Sequence, residues 1–314
     1  MSILNKKPAF DLLSKDLSSL AKPPKLKFGS RQITIKGKIV FRGNGLHSGK
    51  KVKMIVHPAE ENSGYQFRVK SGLNSYTNIR AIYNNVVSTN LSTTIASGNF
   101  RVSTVEHILS ALYALRVDNA IIELEQGNEI PIMDGSSFEF VRGIKDSGFE
   151  EQNYFKKSIK VNKVIEVKSG SKIARISPHD ETIFTCEVGY DSKVIGNQSM
   201  SIIFNPSIYE SQISRARTFG FLEDIDYLHK NGLALGGSLE NAIVISKDRV
   251  LNKEGLRFSD EFVRHKTLDL IGDLSLSGYY IKGSIYSFHG GHNLNNLLLH
   301  KLFSSKENYE IIDF

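Results

Sequence analysis

Apolar residues recur along this chain with two periods, and the changes between them set out its elements. From Ile33 the spacing is two. Ile33 and Ile35, then Ile39, Val40 and Phe41, lead into the glycine-punctuated turn Gly43-Asn44-Gly45-Leu46-His47-Ser48-Gly49. Val52, Met54 and Val56 alternate with lysines, which predicts a half-buried strand ending at Pro58. The period then becomes helical: Val105, Ile108, Leu109, Leu112 and Leu115 predict a helix over 104–116. A strand follows at 120–124, and Asp134-Gly135-Ser136 opens a second short helix carrying Phe138, Phe140, Val141 and Ile144.

The second half repeats this grammar. Strands are predicted at 158–167, 172–176, 183–188 and 200–204, then a loop and helix segment over 206–232 and a strand at 241–245. A longer helix at 261–275, a strand at 280–286 and a last helix at 293–303 close the chain. Strands come first in each half and a pair of helices late. The expected fold is therefore α+β, with two similar domains at 31–155 and 156–314, each a β-sheet layer against a pair of α-helices. Residues 1–30 read as a basic extension outside the core, where Phe10, Leu13, Leu17 and Leu20 keep helical spacing until Pro23 and Pro24.

Composition narrows the function classes. Apolar residues make up 40% and charged residues 23%, enough for a sizeable core in 314 residues. No run of eighteen apolar residues exists, so no membrane-spanning helix is expected, and charges interrupt the N-terminus where a secretory leader needs an apolar run. The single cysteine, Cys186, excludes an internal disulfide framework and fits a reducing compartment, so the cytoplasm is the expected location. It also leaves any metal to His and carboxylate ligands. Of the net charge of +7, residues 1–38 supply all, with nine Lys or Arg against two Asp. The rest of the chain sums to zero, which argues against nucleic acid as a partner. Nothing demands an oligomer, and a monomer is expected.

Three stretches carry candidate chemistry. In Arg264-His265-Lys266-Thr267-Leu268-Asp269, continuing to Asp273, the residues His265, Asp269 and Asp273 form one polar stripe at i, i+4 and i+8. Such a stripe can grip a metal or make a surface ion pair. Ser103-Thr104-Val105-Glu106 matches a capping box, yet His107 beside it allows a metal ligand next to a general base. Phe288-His289-Gly290-Gly291-His292-Asn293 is a glycine-flanked loop in which either histidine can act as an acid near neutral pH. His57, His179, His229 and His300 read as surface or packing residues.

With these residues in view, the sequence resembles the UDP-3-O-acyl-N-acetylglucosamine deacetylases, the zinc enzymes of the committed step of lipid A biosynthesis. The likeness runs from about Gln32 to Phe303. It is carried by Gly43–Gly49, Thr104-Val105-Glu106-His107, Asp118-Asn119, 129–136, 214–221, 235–238, 251–258, 260–273 and Gly291-His292-Asn293. The resemblance implies an active site between the two domains, with Zn2+ held by His107, His265 and Asp269. It implies Glu106 as the base for the attacking water, Thr218 as an oxyanion donor, and His292, steered by Asp273, as the cation or acid at the departing amine. It implies Lys266 as a substrate-binding cation. An apolar insert near 219–240, with Phe219, Phe221, Leu222, Ile225, Leu228, Leu233, Ala234 and Leu235, would hold the acyl chain. The expected partner is thus a small nucleotide-sugar lipid, and the rival within this frame is a zinc hydrolase of the same fold acting on a different acylated sugar. The basic extension has no counterpart in the likeness, and the polar stretch 90–100 aligns only approximately.

Overall fold

The computed structural model describes residues 31–72 and 75–313. The basic extension at 1–30, with its helical spacing, lies outside the described residues. The fold is mixed, with β and α layers in each half, as the α+β expectation requires.

The first half contributes β1 (Arg31–Ile35), β2 (Ile39–Asn44), β3 (Lys51–Pro58), β4 (Tyr65–Lys70), β5 (Tyr76–Arg80), β6 (Val86–Ser88), β7 (Thr94–Ser97) and β8 (Phe100–Val102). Helix α1 (Glu106–Ala114), β9 (Ala120–Gln126), α2 (Phe138–Ser147) and β10 (Phe149–Phe155) complete it. The main sheet has the order β2-β3-β9-β4-β5, and only the β9–β4 pair is parallel. The alternation read from Val52, Met54 and Val56 puts all three in the core.

The second half contains β11 (Lys157–Val161), β12 (Ile165–Ser169), β13 (Lys172–Ser177), β14 (Thr182–Gly189), β15 (Asn197–Ile203) and the short α3 (Pro206–Ile208), which runs on into a π turn at Tyr209–Ile213. Then come β16 (Phe219–Phe221), α4 (Ile225–Lys230), β17 (Ile243–Ser246), β18 (Arg249–Val250), α5 (Glu261–Ser275), β19 (Tyr280–Phe288), α6 (His292–Phe303) and β20 (Tyr309–Asp313). Strand β19 is central to a seven-stranded sheet, pairing with β13, β14 and β11. The single strand expected at 158–167 is two, because the chain turns at 162–164 to pair β11 with β19 and β20 but β12 with β13.

Every residue of α1 is buried, because the helix is enclosed, packing against α5 as well as α2. One local expectation needs correction: the capping box at Ser103 and Glu106 does not form. Thr104 takes a left-handed φ of 59°, which turns Ser103 away from the helix, and the Ser103 amide donates to Asn128 O at 3.1 Å. That leaves the Glu106 carboxylate free for another partner.

One crossing joins the halves. A Cβ added at Gly272 of α5 would overlap the backbone carbonyl of Glu106 at the start of α1. Only glycine lets the two helices approach this closely, and one apolar cluster continues from Ile108, Leu109 and Leu112 into Leu268, Ile271 and Leu274. The substitution Gly272→Ala is therefore expected to destabilise the protein by about 3 kcal/mol, the upper end of overpacking effects, because the obstacle is backbone. Thermal unfolding measures it, and an unchanged midpoint would remove the crossing as a constraint.

Candidate active site

The crossing of α1 and α5 brings together the two polar stretches that the sequence separates. His107 from α1 meets His265 and Asp269 from α5, and one ligand atom of each lies within 4.8 Å of the others. Nε2 of His265 is 3.4 Å from Asp269 Oδ1, and Nε2 of His107 is 3.8 Å from the same oxygen. All three side chains are buried. The i, i+4 spacing on one helix turn sets the His265–Asp269 half of this arrangement; the close crossing sets the rest.

The triad has the features of a cation site. Oδ1 of Asp269 is buried without a hydrogen-bond partner, as is Nδ1 of His107, whereas Oδ2 of Asp269 accepts from Lys266 Nζ at 2.7 Å. An unpartnered buried carboxylate oxygen is costly unless a cation satisfies it. The Nδ1–H of His265 donates to the Ala216 carbonyl at 3.1 Å, which turns the lone pair of Nε2 inward, as metal-ligating imidazoles require. Burial lowers His107 to about 3, with the nearby His265 adding to the drop, and burial likewise lowers His265. Burial alone would raise Asp269, but the neighbouring His265 imidazole and the Lys266 ammonium hold it well below the usual carboxylate range. Two neutral imidazoles and an ionised carboxylate fit zinc in a catalytic site, where a fourth position stays open.

Glu106 and His292 face each other beside the triad. His292 is the first residue of α6, and its Nε2 lies 3.8 Å from Glu106 Oε1. Its Nδ1 donates to Asp273 Oδ2 at 2.8 Å. Burial opposes the imidazolium, but Asp273 and Glu106 outweigh it and raise His292 to about 9. The Glu106 carboxyl is pushed up to about 8 by burial, against the pull of His292. Of the two histidines in the glycine-flanked loop, only His292 turns toward this cluster; His289 stacks on Phe288.

A cleft of about 920 Å³ opens onto the cluster. Thr218, Lys266 and His292 line it, as do Phe219, Leu222, Ile225 and Ala234 of the apolar segment. Phe221 and Leu228 line it as well, whereas Leu233 and Leu235 are not among the lining residues. The Leu235 amide instead donates to His47 O at 3.1 Å, docking the segment on the Gly43–Gly49 turn. Thr218 is fixed through its backbone: its amide donates to Gly135 O and its carbonyl accepts from the Ile243 amide, both at 2.8 Å. The neighbouring Arg217 is buried and bonded through Nε to Glu261 Oε1 at 2.9 Å.

Some site residues had no signal that singled them out. His47 lines the cleft, though the sequence shows it only as part of a turn, and His229, read as a surface or packing residue, lines it too. Glu129 is buried and accepts from the His47 and Ser48 amides at 2.7 and 2.9 Å, shaping that turn. Thr93, in the stretch that aligns poorly, donates its amide to Glu106 Oε2 at 3.1 Å.

Zinc added to metal-free protein is expected to raise its unfolding temperature, by the equivalent of about 2.7 kcal/mol at a hundredfold excess over Kd. His265→Ala and Asp269→Ala are expected to abolish that shift and the bound zinc measured by elemental analysis. Full zinc content in both variants would place the metal elsewhere.

Known proteins match this chain over most of its length. The family model described as LpxC: UDP-3-O-acyl N-acetylglycosamine deacetylase matches residues 32–304. A protein of Methylococcus capsulatus named UDP-3-O-acyl-N-acetylglucosamine deacetylase is 45% identical over 286 residues, covering 90% of this chain and 93% of its own. Proteins of the same name from Helicobacter hepaticus and Pseudomonas entomophila are 43% and 45% identical, each across 90% of this chain and 93% and 94% of their own. A match of this length and identity, over a chain that brings the two halves of the site together, shows that the protein belongs to the UDP-3-O-acyl-N-acetylglucosamine deacetylase family.

Proposed function

We propose that the chain hydrolyses the N-acetyl group of a UDP-3-O-acyl-N-acetylglucosamine, releasing acetate and the free amine, the committed step of lipid A biosynthesis. The observation that carries this reading is the buried His107–His265–Asp269 triad beside the facing pair of Glu106 and His292. When bound to the triad, zinc supplies Lewis-acid polarisation of the carbonyl and of the attacking water, and a positive charge that favours ionised Glu106.

The chain's own residues supply the rest. Glu106, as carboxylate, takes the proton from the water that attacks the acetamide carbon. Thr218 offers its hydroxyl to the oxyanion of the tetrahedral intermediate, from a backbone held at both its amide and its carbonyl. His292 is the cation opposite: with Nδ1–H committed to Asp273, it presents Nε2–H and gives that proton to the nitrogen as the C–N bond breaks. Its folded value of about 9, raised above the ordinary imidazole range, keeps it protonated at neutral pH. Lys266 stands over the Phe219 ring at 5.6 Å and contacts the polar part of the substrate. The walls at Phe219, Leu222, Ile225 and Ala234 take the acyl chain.

This reading carries the division into units at 31–155 and 156–314, with the insert at 219–240 belonging to the second. The triad and the facing Glu106–His292 pair form within a single chain, so this reading needs no second copy. Cys186 is buried and unpaired, which supports a cytoplasmic setting, and among the described residues no helix is long and apolar enough to cross a membrane.

Purified protein is expected to release acetate from UDP-3-O-acyl-N-acetylglucosamine, to lose that activity on chelation and to regain it with zinc. Glu106→Ala is expected to lower kcat by roughly 10²–10⁴-fold, the range for loss of general-base help. Folded, zinc-loaded protein without turnover across several acyl lengths would overturn the substrate assignment.

A further inference from the structure

Thr93 touches both Glu106 and Asp273, the partner of His292. Its amide donates to Glu106 Oε2 at 3.1 Å, its carbonyl accepts from the Val105 amide at 3.3 Å, and its hydroxyl donates to Asp273 Oδ1 at 2.6 Å. Residue 93 is 1% exposed, so no solvent competes for these bonds. The loop that carries it lies beside the cleft, which Leu91 lines at a left-handed φ of 59°.

Side-chain donors reach Asp273 from two elements, α6 and the loop that carries Thr93. Its Oδ2 accepts from His292 Nδ1 and from Asn295 Nδ2, each at 2.8 Å, both on α6, while Asp273 itself belongs to α5. Only the Thr93 hydroxyl reaches Oδ1 among the hydrogen bonds of the described residues. A carboxylate turns easily about its terminal torsion, so donors on α6 alone would leave the oxygen aimed at His292 free to swing. The hydroxyl closes that freedom from the opposite side. It does so from the same residue whose amide holds Glu106.

We infer that Thr93 is a positioning residue, whose peptide and hydroxyl fix Glu106 and the Asp273–His292 pair in register across the two halves of the molecule. A misplacement of about 1 Å at such a pair can lower a rate by roughly 10²-fold, without weakening substrate binding. A merely structural threonine would instead satisfy a buried carboxylate and affect stability alone. The inference rests on the deacetylation reading for the roles of Glu106 and His292.

Thr93→Val keeps the shape and the amide but removes the hydroxyl; Thr93→Ser keeps the hydroxyl. Thr93→Val is expected to lower kcat by roughly 10- to 100-fold with KM within about twofold, and Thr93→Ser to stay within about threefold of the starting rate. Combined with Asp273→Asn, the Thr93→Val loss is expected not to multiply, as for residues acting as a unit. The Nδ1 proton resonance of His292 is expected to move in Thr93→Val and to stay in place in Thr93→Ser. Should Thr93→Val fail to fold, Thr93→Ala replaces it in the same comparison. An unchanged kcat and an unmoved resonance, with only a lower melting temperature, would overturn the inference, as would Thr93→Ser being as impaired as Thr93→Val. If the unsubstituted protein shows no turnover, the functional reading fails, and the resonance comparison alone decides the role of Thr93.

Discussion

The site depends on how closely two buried helices can approach. Glycine at position 272 lets α5 lie against the first turn of α1, where any side chain would meet the Glu106 carbonyl. That contact sets the distance between His107 on one helix and His265 and Asp269 on the other. It also places Glu106 opposite His292, because α6 begins where β19 ends and packs on α5. The candidate ligands and the facing Glu106–His292 pair are thus positioned by one backbone contact inside a continuous core, which resists deformation far better than a pair of loops would.

Burial then sorts the chemical states. Three histidines share one buried cluster, yet they diverge according to partner. His107 and His265 are pushed toward neutrality, fit to ligate, while His292, backed by Asp273, is held cationic. The carboxylates divide in the same way. Asp269 stays ionised between an imidazole and Lys266, whereas Glu106, facing burial with less compensation, is raised toward the range where a base is most useful. Each protonation state thus follows from burial and from the charges that a side chain touches.

Legibility in the sequence followed locality. The stripe of His265, Asp269 and Asp273 was readable because one helix sets its spacing, and the core strands because their alternation is unbroken. The meeting of His107 with that stripe is non-local, and only the family resemblance suggested it. Thr93 was invisible: a threonine in a polar stretch has no pattern, and its value lies in an amide and a hydroxyl aimed at residues far along the chain. Local rules also misled. Ser103 and Glu106 have capping-box spacing, but the left-handed Thr104 between them breaks the geometry. Leu235 looks like part of the apolar wall, yet its backbone docks on the turn beside His47.

The central claim is that a single metal is held between the halves by His107, His265 and Asp269. Anomalous diffraction at the zinc edge, from crystals grown with one equivalent of zinc, tests it most directly. The account predicts one peak per chain, about 2.0–2.2 Å from one nitrogen of each imidazole and an oxygen of Asp269. A peak at other residues, or an empty triad in zinc-loaded crystals, would contradict it.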